Sequence, residues 1–200
     1  VLYSRVAEVD ERIGARGELV HPLDEASART ALDAAFAAGI RAVAIAFMHS
    51  YRYPEHEQRV ADIAREVGFM QVSPSHLASP LIKLVSRGDT AVADAYLSPV
   101  LRRYVDQVRD ELGAERGGCK RLQFMQSNGG LIDAGLFQGK DSILSGPAGG
   151  VVGMVRTGTM AGFDRLIGFD MGGTSTDVTH FDGQFERSFE TEVAGVRMRA

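Results

Sequence analysis

The chain has 200 residues, 44% of them hydrophobic and 24% charged, a composition that suits one large globular domain or two small ones. Its net charge of −4, with no basic run, argues against nucleic acid as a partner, and no apolar stretch approaches the roughly 20 residues that cross a bilayer. Cys119 stands alone, which excludes an internal disulfide and a cysteine metal cluster, and Arg5, Glu8, Asp10 and Glu11 interrupt the N-terminus too early for a signal peptide, so a cytoplasmic protein without a membrane partner is expected.

Residues 3–20 alternate roughly and carry Gly14 and Gly17, predicting a strand, a turn and a strand. The alanine-rich stretch Leu23–Ala38 begins at Asp24 and stops before Gly39, as a helix with a C-terminal glycine does. Ile40–Met48 is almost continuously apolar and reads as a strand buried on both faces. Pro54–Val67 reads as a helix with Pro54 in its first turn, and Phe69–Val72 as a short strand. This β-α-β-α-β order is the signature of a parallel sheet. Ser73–Pro80 reads as a loop and a candidate boundary. Thr90–Leu112 is a long helical pattern that Pro99 is expected to kink or split. A strand at Leu122–Met125, a polar turn at 126–130, a loop over Ser142–Gly150 and a small-residue helix over Val151–Ala161 follow. A strand–turn–strand unit around Asp170 comes next. The chain opens at Val1 and closes on VAGVRMRA without a terminal element, so a segment of a longer polypeptide is expected.

Leu166–Val178 (LIGFDMGGTSTDV) carries the most chemistry. An apolar run ends at Asp170, and Gly172 and Gly173 are followed by Thr174, Ser175, Thr176 and Asp177. Glycines let a backbone approach phosphates and aim N–H groups at them. Hydroxyls donate to phosphate oxygens. A strand-end aspartate holds hydrated Mg²⁺, which takes one or two carboxylates plus water. The same residues also make a plain two-residue Gly-Gly hairpin turn.

Other segments carry two readings each. Ser145–Gly150 (SGPAGG) leads into a helix whose first N–H groups suit an anion, or it packs closely through its small residues. Ser127 and Asn128 line a cleft at a strand's carboxyl end or form a polar turn. His49 and Ser50 belong to a site at the end of the apolar strand, or to a turn and a helix cap. Arg87 is a candidate anion ligand and Asp89 a candidate cap for the long helix. His21, His56 and His76 lack metal-ligand spacing, and His180 falls on the second hairpin strand. The chain has no GxSxG elbow, Walker-type GKS/T or GxGxxG fingerprint.

LVSRGDTAVADAYLSPVLRRYV (84–105), FMQSNGG (124–130), LSGPAGGVVG (144–153), GFDMGGTSTDV (168–178) and FETEVAGVRMRA (189–200) closely resemble the ATP-dependent hydantoinase A/oxoprolinase family. AFMHSYRYPEHE (46–57) matches more loosely. SRGDT…DAYL with FETEVAGV resembles the oxoprolinase branch more than the hydantoinase or ketone carboxylase branches.

The resemblance implies an α/β, actin-like ATPase fold of ribonuclease-H-like domains. Residues 1–80 would be the C-terminal part of the first hydantoinase/oxoprolinase domain, and residues 81–200 the N-terminal part of the second. It implies ATP and Mg²⁺ as cofactors and ATP-driven opening of a cyclic amide; in the oxoprolinase branch, 5-oxo-L-proline and water give L-glutamate. Asp170–Asp177 would be the second phosphate loop, the first lying upstream of Val1 and the adenosine segment beyond Ala200. On this basis Gly172, Gly173, Thr174, Ser175 and Thr176 contact phosphate, and Asp170 serves catalysis by holding Mg²⁺ through water. Asp177 is a second catalytic candidate, touching the metal or orienting the loop, and Gly146, Gly149 and Gly150 wall the nucleotide cleft. A hydantoinase B-type subunit or domain and a second copy in a homo-oligomer are the expected partners. Two alternatives stand beside this: a hydantoinase or ketone carboxylase subunit of the same family, and a nucleotide-binding switch without small-molecule chemistry.

Overall fold

The computed structural model describes residues 2–113, 118–173, 176–186, 188, 190–193 and 195–198. The chain divides into two compact units, Val1–Tyr104 with Glu190–Ala200, and Val105–Phe189.

In the first unit the turn around Gly14 and Gly17 joins β1 (Arg12–Ile13) to antiparallel β2 (Leu19–His21). Helix α1 (Glu25–Ala37) starts because the Asp24 carboxylate accepts the Ser27 N–H at 2.9 Å, and it stops at Gly39, whose φ is 90°. Strands β3 (Ala42–Ile45) and β4 (Gln71–Pro74) pair in parallel with α2 (Glu55–Val67) between them, as the element order predicts, but the first strand of that order does not join them: β1 and β2 form a separate antiparallel pair. On α2, Val60, Ala61, Ile63 and Ala64 recur at helical spacing and bury against Ala28, Leu32, Ile45 and Phe69. Gly68 ends α2 at φ 110°, where an added Cβ would stand 3.3 Å from the Phe36 ring, so glycine alone suits both the backbone and the contact.

Several local expectations change. β3 is four residues long and only Ile45 in it is buried, since β4 is its one paired neighbour among the described residues. Ser73–Pro80 is no loop. Ser73 and Pro74 finish β4, and Ser75–Ala78 forms the one-turn helix α3, with Ser73 and Ser75 hydrogen-bonded to the buried Asp94 and Glu57, partners that a polar composition does not reveal. Helix α4 (Leu84–Glu111) begins well before Thr90 and continues through Pro99, so Asp89 lies inside it and caps nothing. Ser50 does not cap α2 either; its hydroxyl donates to the Phe47 carbonyl at 3.0 Å. β9 (Thr191–Val193) and β10 (Val196–Met198) form an antiparallel pair.

In the second unit β5 (Gln123–Met125) and β6 (Leu131–Asp133) are antiparallel, so QSNGG is the polar turn of a hairpin. There the Gln126 N–H donates to the Gly130 carbonyl and the Asn128 side chain accepts the Gly130 N–H, both at 2.8 Å. A 3-10 turn (Ala134–Leu136), the short helix α5 (Gly139–Ser142) and helix α6 (Ser145–Met160) follow. α6 takes in SGPAGG, so the loop expected over Ser142–Gly150 is helical from Ser145 onward. Pro147 is tolerated because first-turn N–H groups lack intrahelical partners anyway. β7 (Arg165–Met171) and β8 (Thr176–Asp182) form the long hairpin that α6 packs against. Among the described residues no helix is long and apolar enough to cross a membrane.

Candidate functional site

The β7–β8 register fixes the geometry of the glycine-rich turn. Met171 pairs with Thr176, so the connection is the four residues 172–175 and not a two-residue Gly-Gly turn. Thr174 and Ser175 lie outside the described residues. Gly172 and Gly173 are exposed, and a Cβ on Gly173 would meet nothing within 4 Å, which leaves the backbone open to a ligand. His180 sits on β8 opposite Ile167 and is exposed.

Charge is distributed unevenly along this hairpin. At its base Arg165 is opposite Asp182, and the two form an ion pair at 3.0 Å. At its turn end Asp170 is opposite Asp177. Directly opposed residues share a face, and like charges placed so repel. Both carboxylates are exposed, and neither has an ion-pair or hydrogen-bond partner among the described residues. No group of three or more His, Cys, Asp or Glu side chains suited to a metal occurs among the described residues. The turn end thus offers two carboxylates, within the one or two that a hydrated Mg²⁺ takes.

Strand alternation puts Leu166, Gly168 and Asp170 on one face and the exposed Ile167, Phe169 and Met171 on the other. The first face packs on α6. A Cβ at Gly158 would strike Leu166, and one at Gly168 would strike Met154 and Thr179. Two residues along β7 therefore match four along α6 in the reverse direction, as rises of about 3.3 and 1.5 Å per residue require. From Leu166 to Gly168 the strand thus runs toward the glycine-bearing N-terminal turns of α6. Gly146 and Gly150 are exposed with nothing within 4 Å of an added Cβ, and Gly149 lies 3.7 Å from Met125 by the same measure. No side chain caps α6, so its first N–H groups remain available to an anion.

The first unit holds a polar cluster that the sequence reading missed. Glu57 is fully buried at the carboxyl ends of β3 and β4. Its carboxylate accepts the Phe47 N–H at 2.7 Å, the Ser75 hydroxyl at 2.9 Å, the His76 N–H at 2.8 Å and His76 Nδ1 at 2.7 Å. Arg87, also fully buried, donates Nε–H to Ser75 Oγ at 2.8 Å and its terminal N–H groups to the carbonyls of Leu81, Met48 and Phe47. Burial holds the guanidinium below its usual range, an effect that Glu57 and Tyr51 offset only in part. Arg87 is therefore a clamp on the strand ends and not a free anion ligand. The one available signal was position: Glu57 falls on the apolar stripe of α2 with Val60, Ala61 and Ala64, where a carboxylate must find buried donors. A second buried set joins Ser73 and Ser98 to Asp94, at 2.6 and 3.0 Å.

The sequence profile described as Hydantoinase/oxoprolinase matches residues 87–200, and the one described as Hydantoinase/oxoprolinase N-terminal region matches residues 1–68. The 5-oxoprolinase of Saccharomyces cerevisiae is 44% identical over 98% of this chain, which spans 17% of that protein. A nucleotide-free structure of acetone carboxylase superposes with a TM-score of 0.83 at 29% identity, covering 96% of this chain and 28% of the other. The crystal structure of an ATP-dependent caprolactamase from Pseudomonas jessenii gives 0.80 at 34%, with the same coverage. The mixed α/β architecture is that of these actin-like ATPase relatives. With profiles matched over both its halves and a shared fold, the chain belongs to the hydantoinase/oxoprolinase family.

Proposed function

We propose that the protein containing this chain is an ATP-dependent cyclic amide hydrolase that converts 5-oxo-L-proline, ATP and water to L-glutamate, ADP and phosphate. One observation carries this reading: 44% identity to a 5-oxoprolinase over nearly the whole chain, against 37% to a caprolactamase subunit over 84% of it and 33% to an acetophenone carboxylase subunit over 85%. Residues 1–80 complete one family domain and residues 81–200 begin the next, a division supported by profiles that match 1–68 and 87–200. A cytoplasmic setting, a homo-oligomer and a hydantoinase B-type subunit or domain complete the proposal.

A five-membered lactam is resonance-stabilised and a poor electrophile. Bound ATP supplies the phosphoryl group that activates the amide oxygen, and the protein's work is positioning and charge neutralisation. Gly172 and Gly173 present backbone to the phosphates. Thr174, Ser175 and Thr176 donate hydroxyls. The uncapped first turn of α6, with Gly146, Gly149 and Gly150, forms the wall beside them. Asp170, with Asp177 opposite, fits Mg²⁺: an unpaired like-charged couple at a strand end gains most from a hydrated cation.

The test is release of ADP and glutamate by the complete protein given Mg·ATP and 5-oxoproline, with hydantoin and acetophenone as controls. Coupled release with 5-oxoproline alone is expected. ADP release only with hydantoin or the ketone moves the protein to a sister branch. ATP binding without turnover on any of them makes it a nucleotide switch.

A further inference from the structure

We infer that the carboxyl edge of β3 and β4 is a subsite for the cyclic amide itself, held by the His76 imidazole; this rests on the function proposed above. Ligands of parallel sheets gather at the carboxyl ends of strands, and this edge is built at unusual cost. Two fully buried charged side chains, Glu57 and Arg87, are spent on it. Their hydrogen bonds end on Phe47 and Met48, just past β3, and on Ser75 and His76, just past β4.

The effect on His76 is specific. Its backbone N–H and its Nδ1 both reach the same Glu57 oxygen, at 2.8 and 2.7 Å. The ring is thereby fixed in orientation and tautomer, with Nδ1–H toward the carboxylate. Nε2 has no protein partner among the described residues, and the side chain remains 10% exposed. An oriented imidazole with one open nitrogen presents a lone pair to a donor. The N–H of a secondary cyclic amide is such a donor. The same short turn carries a second unmatched group: Ser79 Oγ is buried without a hydrogen-bond partner among the described residues. Native interiors rarely leave a hydroxyl so, unless a ligand or water completes it.

The experiment uses the complete protein. His76→Gln keeps a donor near Glu57 and removes the open ring nitrogen. The KM for 5-oxoproline is expected to rise about tenfold, the effect of one lost hydrogen bond, with the KM for ATP and the melting temperature unchanged. In the unmodified protein, 5-oxoproline should slow carbethoxylation of His76 by diethylpyrocarbonate, read by mass spectrometry, and ATP alone should not. A KM within twofold of the parent value together with no protection overturns the inference. If no cyclic amide is turned over, the proposed function falls. The protection experiment alone then decides the subsite: slowed modification upholds it and an unchanged rate removes it. The same arm decides if the variant does not fold.

Discussion

Arg87→Met offers the sharpest test of how the first unit is held together. The guanidinium is fully buried and serves Ser75 Oγ and the carbonyls of Phe47, Met48 and Leu81. Methionine fills much of the volume and returns none of these bonds. The Phe47 carbonyl keeps the Ser50 hydroxyl at 3.0 Å, so the loss is less than total. Glu57 keeps His76 but loses the field of the nearby guanidinium, which meets it through Ser75. Unmet buried polar groups cost about 1–3 kcal/mol each. Ser75 Oγ and the Met48 and Leu81 carbonyls lose a donor and relax in part, so about 3–5 kcal/mol is the expected loss for this unit. At about 1.4 kcal/mol per decade, native-state hydrogen exchange of the β3 and β4 amides should accelerate by roughly 140- to 3,700-fold. Arg59→Met is the control, an exposed arginine in surface ion pairs with Glu25 and Glu66, for which little acceleration is expected. Acceleration below tenfold in Arg87→Met would show that the cluster is not a structural keystone.

Two further outcomes follow from the same observations. Asp170→Asn in the complete protein is expected to abolish ATP turnover while leaving the thermal midpoint unchanged or raised, because the substitution relieves repulsion from Asp177; full turnover at ordinary Mg²⁺ would refute the metal assignment. Hydrogen bonds from Arg59 to Glu25 and from Arg29 to Glu66 hold both carboxyls below their ordinary value of 4.5. A depressed folded-state pKa gives stability that is complete above the unfolded value and is lost as pH falls through the folded one. Stability curves of the parent and Arg59→Ala should therefore differ above about pH 4.5, converge below it, and approach each other in about 1 M salt; a gap that persists in acid would contradict the ion-pair origin.

Much of the fold was legible because its signals are local. Asp24 and Gly39 bracket α1, Gly68 closes α2, and the β-α-β order gave the parallel β3–β4 pair. The hairpin around Asp170 was equally plain. Its turn was not, since Gly172-Gly173 suits a two-residue turn and only the pairing of Met171 with Thr176 makes it four. Ser73–Pro80 and Ser142–Gly150 misled for one reason. Ser, Gly and Pro favour loops unless distant partners receive them, and Glu57, Arg87 and α6 supply those partners here.

By itself the sequence determined the family, the order of the longer helices and of the strands they connect, and the chemical character of the 170–177 turn. Those depend on motif, period and capping, which neighbouring residues encode. Tertiary structure alone decided that Asp170 and Asp177 oppose each other, that β7 runs back along α6 toward Gly150, and that Glu57, Ser75, His76 and Arg87 form one buried network. Such contacts join side chains far apart in the chain, and their energy comes from burial and register, which exist only once the chain has closed on itself.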